Sequence, residues 1–143
     1  MSEAWAGVAG EFLHSYPRGA RLIAVTGADA ERSKLAADAL SAALVDAGQE
    51  IQRVHSPLGE EQELRDDVIA PFRAERAGRV LIVSGPPSLL STTARGLWNF
   101  TVWQLAGDEP PHSAASALVD VTDADDPQRR FADYCALPAS YGA

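Results

Sequence analysis

Lysine is nearly missing from this sequence of 143 residues. Lys34 is the one lysine, and the other eleven basic residues are arginine. Cysteine is as scarce. Cys135 stands alone, so no disulfide forms within the chain, and this usage fits a cytoplasmic, reducing setting. Basic residues fall short of acidic ones and leave a net charge of −8. That balance repels phosphate backbones and anionic bilayers, which argues against nucleic acid and membrane as partners. No apolar run is long enough to span a bilayer. The first residues, "MSEAWAGVAGEFLHSY", carry acids and no continuous apolar stretch, unlike a secretory signal. His14, His55 and His112 are isolated in sequence, so no His/Cys/Asp spacing points to a metal site. Repeats and long linkers are also missing, and the length suits one domain over 1–143.

What is there alternates between helix and strand. Trp5, Val8, Phe12 and Leu13 line one face of an N-terminal helix over 3–15. "RLIAVTG" (21–27) and "RVLIVSGPP" (79–87) are nearly continuous apolar runs of strand formers, as in strands buried on both faces. "EIQRVHS" (50–56), "FTVWQLA" (100–106) and "ALVDVTD" (117–123) add three more strands. Between the first two strands, residues 31–47 place Leu35, Ala36, Ala39, Leu40, Ala43, Leu44 and Ala47 on one helical stripe. Residues 60–76 form a second amphipathic helix, which Pro71 should kink or end. A short helix and turn is expected at 88–98. A last helix is expected over 126–137, with Asp126 as N-cap and Pro127 in the first turn. The pattern predicts an α/β three-layer sandwich around a mainly parallel five-stranded sheet. Ligands of such sheets sit beyond the carboxyl ends of the strands, which places 26–34, 55–59, 84–90 and 106–110 on one rim.

The first rim turn, "GADAERSK" (27–34), has the outline of a phosphate-binding loop, G-x-x-x-x-G-K-[ST]. Set on Gly27, that template meets Arg32 at the second glycine, Ser33 at the lysine and Lys34 at the hydroxyl. One of the four defining positions remains. Gly27, Arg32, Ser33 and Lys34 are therefore candidates for a weak anion site, set against an ordinary strand-to-helix turn. His55 and Ser56 end the second strand, and Ser84 ends the third. His55 is a candidate base without a partner in the sequence, and Ser84 lacks the G-x-S-x-G surroundings of a nucleophile. The acidic run "DVTDADD" (120–126) does not follow the calcium-loop pattern. Trp98, Phe100 and Trp103 are core or interface residues by spacing.

The order of these segments resembles the uridine kinase-like branch of the P-loop kinases, which includes phosphoribulokinase and pantothenate kinase relatives. "RLIAVTG" resembles the first strand of that family. "ELRDDVIAPFRAERAGRVLIVSG" resembles its helix and following strand, "GLWNFTVWQLAGDE" its next segment, and "ALVDVTDADDP" a later one. Together they cover most of residues 20–130. The resemblance implies a P-loop NTPase-like sheet in the order 2-3-1-4-5. It also implies a phosphate-binding lysine where Ser33 stands and a Mg²⁺-binding hydroxyl where Lys34 stands. A catalytic Asp is implied near Ser56, and a strand-ending Glu at Ser84. A lid with arginines is implied where the chain has only "GDEPPHSAAS". The acceptor-binding insertion is shortened to "PLGEEQ".

One lost charge-stabilising group typically costs about 3–4 kcal/mol of transition-state stabilisation. The expectation is therefore a catalytically inactive protein of this family, acting through a protein partner or as a homo-oligomer. Whichever of Trp5, Phe12, Trp98, Trp103 and Tyr141 are exposed are its candidate contacts. The alternative is an anion or nucleotide binder, or an unusual small-molecule transferase, built on the strand-end rim. An active nucleoside or sugar kinase is the least favoured reading. No metal or cofactor is expected, with ATP and Mg²⁺ admitted only if the altered loop still binds.

Overall fold

Five strands without charge in their middles, apart from Arg53, lie side by side as a parallel sheet, buried except for the half-exposed edge strand 51–55. The computed structural model describes residues 3–130. In chain order it contains α1 (Glu3–Ser15), β1 (Arg21–Gly27), α2 (Ala30–Asp46) and β2 (Ile51–His55). A helical run follows, made of α3 (Glu61–Glu63), a π-helical turn (Leu64–Ile69) and α4 (Ala70–Glu75). Then come β3 (Val80–Gly85), two 3₁₀ turns (Pro87–Leu90 and Arg95–Leu97), β4 (Phe100–Leu105), β5 (Ala117–Asp120) and β6 (Gln128–Arg130).

The sheet has six strands in the order β2-β3-β1-β4-β5-β6. The five-stranded expectation is thus corrected by one strand. β1 to β5 pair in parallel, and β6 pairs antiparallel to β5. The expected helix over 126–137 does not begin at Asp126. Instead Gln128, Arg129 and Arg130 lie opposite Asp120, Val119 and Leu118. Two ion pairs favour the strand: Arg130 Nη2 to Asp120 Oδ2 at 2.7 Å, and Arg129 Nη2 to Glu11 Oε2 at 2.8 Å. The remainder of that expected helix, with Cys135 and Tyr141, lies outside the described residues.

Period-two alternation divides the core between two faces of the sheet. On one face, Ile23, Val25, Ile82 and Val102 meet α1 and α2. There α1 buries Trp5, Val8 and Phe12, worth roughly 1.5–3 kcal/mol per large side chain. On the other face, Leu22, Ala24, Leu81 and Val83 meet Leu64, Ile69 and Phe72 of the helical run, with Leu97 and Trp98. Helices therefore flank both faces. No helix among the described residues is long and apolar enough to cross a membrane.

Two details depart from the sequence pattern. On α2 the expected Ala36, Leu40, Ala43 and Leu44 are buried, but Ser33 and Ala37 join them and Leu35 is 67% exposed. Ser33 takes the inward place because its hydroxyl finds partners there. Pro71 neither ends nor breaks its helix. The preceding turn widens to π, with the Ala70 amide donating to the Arg65 carbonyl. Such widening is one way a helix accommodates an irregular hydrogen-bond ladder. Of the aromatics that would be contacts if exposed, Trp5, Phe12, Trp98 and Trp103 are at most 7% exposed, so they belong to the core.

Candidate functional site

The carboxyl-end rim is built where β1 stops at Gly27 and α2 starts at Ala30. A Cβ on Gly27 would lie 2.1 Å from Gln104 Nε2 and 2.5 Å from the Gln104 carbonyl oxygen. The glycine is needed because β4 presses its polar residue against the turn. Asp29 then caps α2. Its Oδ1 accepts from the amides of Glu31 at 2.9 Å and Arg32 at 3.2 Å, while its carbonyl accepts from the Ser33 amide. These first-turn amides are the donors a helix offers to an anion. Here the protein's own carboxylate takes two of them.

Arg32 folds back over the turn. Its Nε donates to Gln104 Oε1 at 2.8 Å, and its Nη2 reaches both oxygens of Glu109, at 2.5 and 2.8 Å. Gln104 in turn donates through Nε2 to the Asp29 carbonyl and to Ser33 Oγ. Ser33 Oγ donates to the Asp29 carbonyl, and both Ser33 and Gln104 are fully buried. Of the four residues singled out in this turn, Gly27, Arg32 and Ser33 are brought together in one internal network. Lys34 is exposed, and it is the Lys34 carbonyl that an arginine, Arg53, meets at 3.5 Å.

The next two rim loops form a second polar cluster under the start of α2. His55 Nδ1 lies 2.7 Å from Ser84 Oγ, and β2–β3 register sets these residues directly opposite. Ser84 is fully buried, so its hydroxyl is closed to an external carbonyl. Glu31 Oε1 stands 3.8 Å from His55 Nε2, which is buried and makes no hydrogen bond among the described residues. Ser84 donating to Nδ1 with Nε2–H facing Glu31 is one arrangement that this geometry accommodates. Ser56 serves the turn. Its amide donates to the Ser84 carbonyl and its Oγ accepts from the Gly59 amide, with Gly59 at φ 60°. Between β1 and β3, Thr26 Oγ1 donates to the Pro86 carbonyl at 2.7 Å and bridges the crevice.

The fourth loop, 106–116, is held by ring packing and by Glu109. His112 is 2% exposed and its ring centre lies 5.1 Å from that of Trp103. The His112 Nδ1 accepts from the Ala114 amide, which fixes the proton on Nε2. Burial lowers its pKa below the usual histidine value, and nearby Arg95 lowers it further. At the end of β5, hydrogen bonds from Thr122 hold the Asp120 carboxyl below its ordinary range, and Arg130 adds to this.

Sequence reasoning missed Asp29, Gln104, Glu109 and Thr26. Gln104 carried a signal, as the single amide in the otherwise apolar end of "FTVWQLA". Asp29 carried one as an N-cap residue just before a helix. Nothing local marked Glu109, which meets Arg32 from 77 residues away. Among the described residues no group of three or more His, Cys, Asp and Glu side chains is arranged to hold a metal ion. Comparison of the chain with protein-family models, with curated proteins and with solved structures finds no match.

Proposed function

We propose that this chain is a non-catalytic domain of P-loop kinase-like build that works through contacts with other proteins. One observation carries the reading. The turn at 27–34 is closed by its own groups, with Asp29 on the α2 amides and Arg32 held by Glu109 and Gln104. A phosphate entering there would have to displace an arginine nitrogen shared between both oxygens of Glu109, and a buried amide. The resemblance to the uridine kinase-like branch supplies the architecture, in which β1 and α2 would be the phosphate-binding strand and helix. The positions matching its catalytic Asp and strand-ending Glu are Ser56 and Ser84, and both are spent on internal hydrogen bonds.

A thermal-shift titration tests the reading. MgATP, MgGTP, ADP and inorganic phosphate at millimolar concentrations are expected to leave the melting temperature unchanged. A ligand at one hundred times its Kd would stabilise the fold by about 2.7 kcal/mol, a shift readily seen. A nucleotide-dependent shift abolished by Lys34→Ala would overturn the proposal and make the turn a rebuilt site.

A second reading is favoured by a specific feature, the cavity of about 370 Å³ beside the end of β2. Val54, Leu58, Leu64 and Val68 give it apolar walls, and His55, Glu60 and Glu63 add polar groups. A small ligand with an apolar body and a positive group matches that lining. Chemical-shift changes confined to Val54, Leu64 and Val68 on adding a simple aryl-alkylamine would favour this reading over the first.

A further inference from the structure

Three arginines line one groove on the face of the sheet opposite α2, and two of them have no carboxylate partner among the described residues. Arg65, Arg73 and Arg76 line a groove of about 650 Å³ whose floor includes Ile69, Ala70 and Leu97. Arg65 is anchored: its Nε donates to Glu61 Oε2 at 2.8 Å and its Nη2 to the Thr93 carbonyl. Glu61 also accepts from Thr93 Oγ1 at 2.7 Å, and these hydrogen bonds hold its carboxyl below the ordinary range. Arg73 donates only to the Leu97 carbonyl, at 3.3 Å. Among the described residues no carboxylate pairs with Arg73 or Arg76, although the protein carries a net −8. Arg76 is also the one non-glycine residue among those described with a positive φ, 52°. A glycine is the ordinary residue in that helix-ending conformation, so an arginine there is held at a cost to the fold.

We infer that this groove docks an acidic segment of another protein. The inference rests on the proposed role in protein contacts and names the chemistry of the partner. Charge complementarity supplies the argument: two guanidinium groups without a carboxylate partner and one anchored one meet carboxylates that the described residues do not provide. Length chooses a segment over a single small anion. Arg65 and Arg76 are eleven positions apart, about 16 Å along a helix, so one phosphate or carboxylate cannot touch both. An extended chain covers that span in about five residues. The floor between the arginines is apolar, which suits an aliphatic side chain between two acids.

Fluorescence anisotropy with a labelled Glu-Leu-Glu-Glu-Leu-Glu peptide tests this on the full chain. Saturable binding is expected, weakening several-fold as salt rises from about 50 to about 500 mM. Arg73→Glu with Arg76→Glu should weaken it by at least about tenfold, the worth of one charge-assisted hydrogen bond. Arg76→Gly suits the left-handed turn, so it should weaken binding without lowering the melting temperature. Absence of binding to the native chain, or equal binding by the double variant, overturns the proposal. Equal binding of a hexaglutamate removes the apolar floor and overturns the stated chemistry. Competition by citrate as effective as the unlabelled peptide assigns the groove to small anions instead. A dimer in sedimentation velocity that the double variant dissolves assigns the acid to a second copy. MgATP is titrated in parallel. A nucleotide response with intact peptide binding would overturn the functional reading alone, and lost peptide binding without a nucleotide response would overturn the groove alone.

Discussion

Arg32 and Arg76 stand at opposite ends of two helical runs on opposite faces of the sheet, and their surroundings differ in kind. Arg32 sits in the first turn of α2, where a positive charge opposes the helix dipole. It is clamped by both oxygens of Glu109 and by buried Gln104, over a glycine that admits no side chain. Arg76 closes α4, where the dipole favours a cation, and no carboxylate among the described residues answers it. The first region resembles a binding motif in sequence and is filled in space. The second has no motif and leaves its charge available. Availability of charge, more than likeness to a signature, therefore separates a binding surface from a packed turn in this fold.

The largest expected effect falls on the filled turn. Gly27→Ala would drive a methyl group into the Gln104 backbone, and urea unfolding should show a loss of about 3 kcal/mol. A neutral result would mean that β4 yields at Gln104, and the description of a tightly filled turn would fail. Gln104→Ala comes next. It removes a buried amide serving Arg32, Asp29 and Ser33, and should cost about 2–3 kcal/mol while leaving peptide binding in the groove unchanged. Loss of peptide binding in a folded Gln104→Ala protein would break the separation of the two regions.

Acid should loosen the first region by way of His112. Its folded pKa lies below the unfolded value near 6.5, so neutral imidazole is the folded form. Its contribution is present above about pH 6.5 and is lost as pH falls through the lower folded value. Protonation at Nδ1 also removes the acceptor for the Ala114 amide, in the loop that carries Glu109. Melting temperature from pH 8 to about pH 5 should fall more steeply for the native chain than for His112→Gln. Parallel curves would remove His112 from the account. The smallest effect belongs to Arg76→Gly. Relief of a left-handed backbone should raise stability by up to about 1 kcal/mol, in contrast to every substitution in the filled turn. A clear loss of stability would show that the arginine side chain supports the fold.

The strands were legible because burial on both faces demands a continuous apolar run, as in "RLIAVTG" and "RVLIVSG". The glycine and the cap of the first turn were partly legible, since both answer local backbone needs. Leu35 was misread because an alanine-rich helix offers two neighbouring stripes of similar apolarity, and only the packing of Ser33 against Gln104 selects between them. The aromatics were left between core and interface for a related reason. Composition says that Trp98 and Trp103 are apolar, but only the folded chain supplies the Leu89 and Pro110 carbonyls that satisfy their indole N–H groups inside. The strand β6 was read as a helix because Asp-Pro is a good helix start, while its pairing with the nearby β5 is backed by an ion pair to Glu11, 118 residues away.

The sequence by itself determined the alternation of elements, the parallel character of the sheet's interior and the rim on which its loops gather. Each follows from local periodicity and from the need to bury apolar surface. Only the tertiary structure decided which charged groups are answered. Arg32 meets Glu109 across 77 residues, while Arg73 and Arg76 meet no carboxylate among the described residues. Charge pairing depends on distance in space, and the periodicity that specifies a helix or a strand carries no information about which distant side chain will stand opposite.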